Sequence, residues 1–217
     1  MNACPLAIPL ADNALTTLAD VKVMLGIDLA SVDAMRDARL THLINYVSAW
    51  VEQTTGRKLR RQVYTHFFNA AGGQELVMLQ WPIVKVLYIK MDGEKIPPDR
   101  YDYAQTGYLG VIYKDDGWPL QGYRSGLAYD IVAPKRNIEV KYTAGYVLPK
   151  DAHPPRDPCT LPADLLGVVW QAIQQEWVLQ QSGAAGLSAF SISDVSWTFD
   201  KTPNESWMKT LGSYTRL

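Results

Sequence analysis

The chain has 217 residues, enough for one large domain or for a compact domain with arms. Hydrophobic residues make up 47% and charged residues 20%, which supports a packed core and excludes wholesale disorder. The formal net charge of -1 excludes a global electrostatic pull toward nucleic acid or an anionic membrane, so a nucleic-acid role needs a local basic patch.

In chain order, residues 1–14 show no periodicity and read as an N-terminal arm. The start carries neither a basic segment nor a long apolar run, so no secretory leader is expected. No apolar stretch approaches the roughly 20 residues that span a bilayer, and the chain is expected to be soluble, made in the cytoplasm and without a membrane role. Thr17 then offers an N-cap, with Asp20 three residues on at the capping-box position, and Gly26 ends a short helix. A long helix is expected over 33–55. Leu40, Leu43, Ile44, Val47, Trp50 and Val51 recur at helical spacing, and Gly56 stands where a left-handed residue ends the helix.

Composition changes at about residue 62. Through 145 the chain is rich in Val, Ile, Tyr and Gly, with strands expected at 62–68, 75–80, 84–91, 101–103, 109–113, 128–132 and 138–142. Asp92-Gly93 and Asp116-Gly117 are turn dipeptides. No segment of crossover length separates these strands, so they are expected to pair antiparallel. A proline-rich loop over 146–161 leads to another helix at 162–182, where Leu166, Val169, Trp170, Ile173 and Trp177 mark one face. Residues 183–217 read as a C-terminal arm containing Trp197, Phe199, Trp207 and Tyr214. The expected fold class is therefore α+β. A single domain over 15–182 has a helical core and a large antiparallel β-rich section at about 62–145, flanked by extended terminal arms.

Few residues point to catalysis. Cys4 and Cys159 have no metal-ligand spacing, and His42, His66 and His153 stand apart from one another, so neither cofactor nor metal is expected. Acidic pairs such as Asp115-Asp116 suit turns; a hydrolase would need carboxylates that converge in space. The one concentrated positive charge is Arg57, Lys58, Arg60 and Arg61. It can contact phosphates, or cap the long helix and solvate the turn that follows it. Seven tryptophans and twelve tyrosines make the middle section aromatic, including Tyr101, Tyr103, Tyr108, Tyr113, Trp118, Tyr123 and Tyr129. These side chains suit a core or interface, or alternatively a binding module that stacks a glycan or single-stranded nucleic acid. The C-terminal aromatics Trp197, Phe199, Trp207 and Tyr214 either fold back on their own domain or bury in a partner, because an exposed aromatic arm invites aggregation.

The order of segments adds a resemblance. The first helix reads Leu15-Thr16-Thr17-Leu18-Ala19-Asp20-Val21-Lys22, and the long helix ends Ala49-Trp50-Val51-Glu52-Gln53-Thr54-Thr55-Gly56-Arg57. Leu79-Gln80-Trp81-Pro82-Ile83-Val84-Lys85-Val86 follows, then Val140-Lys141-Tyr142-Thr143-Ala144-Gly145-Tyr146, then Leu161-Pro162-Ala163-Asp164-Leu165, and finally Ser191-Ile192-Ser193-Asp194-Val195-Ser196. This succession, over most of 15–200, resembles the head–tail connector (adaptor, or head-completion) family of tailed bacteriophages. The resemblance implies a structural, non-enzymatic virion subunit, made in the host cytoplasm and ending in the phage neck. It implies a homo-oligomeric ring, commonly of twelve copies, that docks on the portal protein and on a tail-side or stopper protein while packaged DNA passes through its lumen. It also implies that the C-terminal arm docks on a partner rather than folding back.

Overall fold

The computed structural model describes residues 8–69, 72–103, 110–118, 136–181, 189–192, 195–198 and 204–215. The expected strand at 128–132 lies outside them, as do Tyr108, Tyr123, Tyr129, Phe199 and Cys4. The class is α+β, with four α-helices and antiparallel sheets among the described residues. The chain divides into two compact units: Met1–Arg57 together with Val147–Leu217, and Lys58–Tyr146. Helical faces bury against other helices and strand faces against other strands, so the segments flanking the β-rich section close into one unit although they are far apart in sequence.

The first unit holds α1 (Leu18–Met24), α2 (Ala34–Thr55), α3 (Ala163–Gln181), the hairpin β8–β9 and α4; these last three are bounded by Ala189–Ile192, Val195–Thr198 and Glu205–Gly212. The capping box at α1 forms as its residues predict: the Asp20 amide donates to Thr17 Oγ1 at 3.1 Å and the Thr17 amide to Asp20 Oδ2 at 3.4 Å. Asp33 caps α2 through its side chain, accepting from the Met35 and Arg36 amides. Those two amides also hold the Asp33 carboxyl below the usual carboxylate range, the bond from Arg36 most strongly. Gly56 ends α2 at φ 67°, a left-handed conformation in which a Cβ is disfavoured. The core gathers Leu40, Leu43, Ile44, Val47 and Val51 of α2 with Leu165, Val169 and Ile173 of α3, all buried.

The N-terminal segment is tied down from residue 9 onward. Asn45 accepts from the Ala11 amide at 2.8 Å and donates to the Pro9 carbonyl at 3.0 Å, the Leu15 amide donates to Ser48 Oγ at 3.0 Å, and Ala14 and Leu15 are fully buried. Side chains of α2 thus satisfy backbone groups that the segment itself leaves open.

The second unit is a sandwich of two sheets. β1 (Gln62–Phe68), β7 (Ile138–Ala144), β3 (Ile83–Met91) and β4 (Glu94–Ile96) form a four-stranded sheet in the order β1-β7-β3-β4. β2 (Glu75–Val77), β6 (Val111–Tyr113) and β5 (Asp102–Tyr103) form a three-stranded sheet in the order β2-β6-β5. Every strand pair is antiparallel, as expected. One apolar cluster fills the space between the sheets. Val86, Ile89, Val140 and Tyr142 come from the larger sheet, Leu76 and Ile112 from the smaller, and Met78 and Trp118 from the adjoining loops. The buried polar tips have partners: Trp118 Nε1 donates to the Gln74 carbonyl at 3.1 Å, and Tyr142 Oη accepts from the Gln80 amide at 3.1 Å while meeting His66 Nδ1 at 3.0 Å. Asp92 and Gly93 both have positive φ, which joins β3 to β4 by a primed turn whose twist suits a tight hairpin.

Candidate interaction surfaces

The four residues of the basic cluster separate between the units. Arg57 is buried in the first, where its Nη1 donates to the Tyr214 carbonyl at 3.4 Å. Lys58, Arg60 and Arg61 open the second. There the Lys58 amide donates to Gln80 Oε1 at 3.1 Å, Arg60 bridges to Tyr146, and the Arg61 amide donates to the Tyr146 carbonyl at 2.7 Å.

The C-terminal aromatics also part company. Asn204 caps α4 by accepting from the Ser206 amide, and Trp207, Leu211 and Tyr214 share one face because they lie four and three residues apart. All three are buried in the first unit, where α4 packs on α2 and α3. Trp207 Nε1 donates to Gln171 Oε1 at 2.7 Å, and Tyr214 Oη sits 2.8 and 2.9 Å from the two carboxylate oxygens of Asp164. Burying such side chains contributes roughly 1.5–3 kcal/mol each, enough to hold a two-turn helix that would not persist alone. Trp197 lies in β9, in register with Phe190 of β8. So Trp207 and Tyr214 are buried within their own chain, while Phe199 lies outside the described residues.

Of the central aromatics, Trp118 is fully buried, and Tyr101 and Tyr103 are partly buried against the sandwich core. Among the described residues, no group of His, Cys, Asp and Glu could hold a metal ion, Cys159 is free and exposed, and no helix is long and apolar enough to cross a membrane.

The sandwich carries two further surfaces that linear order conceals. On the outer face of the four-stranded sheet, register sets Tyr88 beside Lys141, Lys90 beside Glu139 and Lys95 beside Lys90. Lys90, Lys95 and Lys141 place their ammonium groups 4.8, 5.8 and 5.9 Å from the centre of the Tyr88 ring, within cation–π range. Tyr88 Oη donates to Glu139 Oε1 at 2.6 Å and Lys90 Nζ to Glu139 Oε2 at 3.2 Å. The Tyr88 bond, followed by Lys90, holds the Glu139 carboxyl below its ordinary value, and the same bond raises the Tyr88 phenol. On the outer face of the three-stranded sheet, Tyr113 pairs with Glu75 on one side and Asp102 on the other. Tyr113 is 43% exposed and neighbouring Val77 49%, so this row is open to contact.

Such geometry defines an α+β protein with one helical unit and one sandwich unit, the latter offering two charged faces, each with an aromatic centre. The family model for "Head completion protein" matches residues 14–154, more than half of the chain. The chain belongs to the head completion protein family, and its role is that of a structural head–tail connector. Three solved structures share its fold. "Virion of native gene transfer agent (GTA) particle" aligns with a TM-score of 0.55 at 14% identity, covering 97% of this chain and 94% of that one. "Neck of empty GTA particle computed with C6 symmetry" aligns at 0.53 and 14%, covering 97% and 94%. "Neck of native GTA particle computed with C12 symmetry" aligns at 0.53 and 13%, covering 97% and 93%. No curated protein matches the sequence.

Proposed function

We propose that the chain is a non-enzymatic ring subunit of a phage or phage-like neck, made in the host cytoplasm, that docks on the portal and continues the DNA channel to the tail. The observation that carries this reading is the family match over 14–154 together with a fold likeness that spans 97% of the chain, both units included. Two of the similar structures are necks computed with C6 and C12 symmetry, and a twelve-copy ring is the assembly this reading takes. Ring closure needs a heterologous contact, in which two different patches of one subunit meet across each boundary. Trp197 and Phe199 stay the C-terminal candidates for contact with a neighbour or the portal, whereas Trp207 and Tyr214 brace the subunit. Contact with passing DNA is assigned to the basic cluster Arg57, Lys58, Arg60 and Arg61, of which Arg57 is buried in the first unit and donates to the Tyr214 carbonyl.

The test is complementation. Heads from a producer lacking this chain are mixed with the purified chain and with tails, and particles are scored for tails and for a ring on the portal. Restored tail joining with a ring of this chain supports the reading; portal vertices left bare overturn it.

A further inference from the structure

We propose that the two outer faces of the β-sandwich join neighbouring copies head to tail: the lysine-rich face on the four-stranded sheet of one copy seats on the acidic face of the three-stranded sheet of the next. This rests on the ring reading and names its contact surfaces.

The two sheets share one core, so their outer faces look in opposite directions from the same unit. The first face carries Lys85, Lys90, Lys95 and Lys141 around Tyr88, against the single carboxylate of Glu139. The second carries Glu75 and Asp102 on either side of Tyr113, with exposed Val77 alongside; the turn after β6 adds Asp115 and Asp116, the latter paired with Arg100 and Lys114. Each face thus has an aromatic centre among charges mainly of one sign, lysines outnumbering Glu139 on the first and carboxylates prevailing on the second, an arrangement that suits an interface core surrounded by steering charge.

Three observations favour a second copy as the occupant. The whole chain is nearly neutral at -1, so the two faces are a separation of charge within one molecule, and every copy brings the complement of its own patch in equal number. Like faces would repel across a two-fold axis, which leaves the heterologous arrangement that closes into rings. A DNA backbone laid on the lysine face would meet Glu139, which its bonds to Tyr88 and Lys90 keep ionised, at the centre of the patch.

The experiment uses two full-length variants altered at exposed strand positions, Lys85→Glu/Lys95→Glu and Glu75→Lys/Asp102→Lys, each checked for native circular dichroism. Sedimentation velocity at low salt over a concentration series reads self-association. Wild type associates, and added salt weakens it. Each variant alone should associate at least about tenfold more weakly, because like charges then face each other. An equimolar mixture should regain association, because one variant now presents two acidic faces and the other two basic ones. Wild-type strength in either variant alone, no recovery in the mixture, or no association of wild type at low salt overturns the proposal. So does a lysine-face variant that loses binding to duplex DNA but keeps its self-association. Variants that fail here yet still complete necks in the complementation assay sink the face assignment alone; a wild-type chain that forms no ring there sinks the ring reading.

Discussion

Gly145 shows how tightly single positions are specified at the edge of the sandwich. It has φ 103°, and a Cβ there would stand 2.6 Å from the Arg60 carbonyl oxygen and 2.9 Å from that of Leu59. Its amide donates to the Pro82 carbonyl at 3.0 Å, so the backbone has little room to move away. Gly145→Ala should cost about 1–3 kcal/mol from the left-handed conformation, with the clash adding to it, read as a lower urea midpoint. At Glu139 the sign of the pH dependence follows from the depressed carboxyl. Its folded value lies below the ordinary 4.5, so its contribution to stability is fully present above pH 4.5 and is lost as pH falls through the folded value. The thermal-midpoint gap between wild type and Glu139→Gln should therefore be widest near neutral pH and shrink on acidification below that range. Tyr214→Phe removes the hydroxyl held by both oxygens of Asp164 and should cost roughly 1–2 kcal/mol.

At the scale of elements, α4 decides how the C-terminus is understood. Trp207→Ala should destabilise the first unit by about 3 kcal/mol, and a chain ending at residue 203 should melt at a lower temperature because α2 and α3 lose the apolar face that covers them. Equal melting of the truncated and intact chains would contradict this packing. The capping box at Thr17, the stop at Gly56 and most of the α2 face were legible in the sequence because each signal lies within a few turns of one helix, whereas the buried face of α3 keeps Val169, Ile173 and Trp177 but takes Leu165 and Val168 where Leu166 and Trp170 were expected. α4 was not: eight residues hold only Trp207 and Leu211 of its buried face, too few repeats to separate a helix from an irregular arm. β4 was hidden by its three residues and by Pro97-Pro98 just beyond. The charged faces escaped for a different reason. Glu75 meets Tyr113, and Tyr88 meets Lys141, only through strand register, and register is a property of pairing across long sequence separations.

At the scale of the whole molecule, two units divide the work of the chain. The helical unit buries Trp207 and Tyr214 in its own core while leaving Val32 and Met35 exposed, and the sandwich carries mainly lysines on one outer face and mainly carboxylates on the other. For the ring subunit proposed above, surfaces of modest, complementary charge suit contact between copies better than a strongly basic body would. The ordered resemblance across 15–200 and the family match over 14–154 agree on a head–tail connector role, and Trp207 and Tyr214 of the C-terminal segment are buried in their own unit. The most direct test is electron microscopy of particles made without this chain and then supplied with it. DNA-filled heads lacking it should carry bare portals and no tails, and adding the purified chain should restore tails together with a ring between portal and tail. Normal tails on particles lacking the chain would contradict the account.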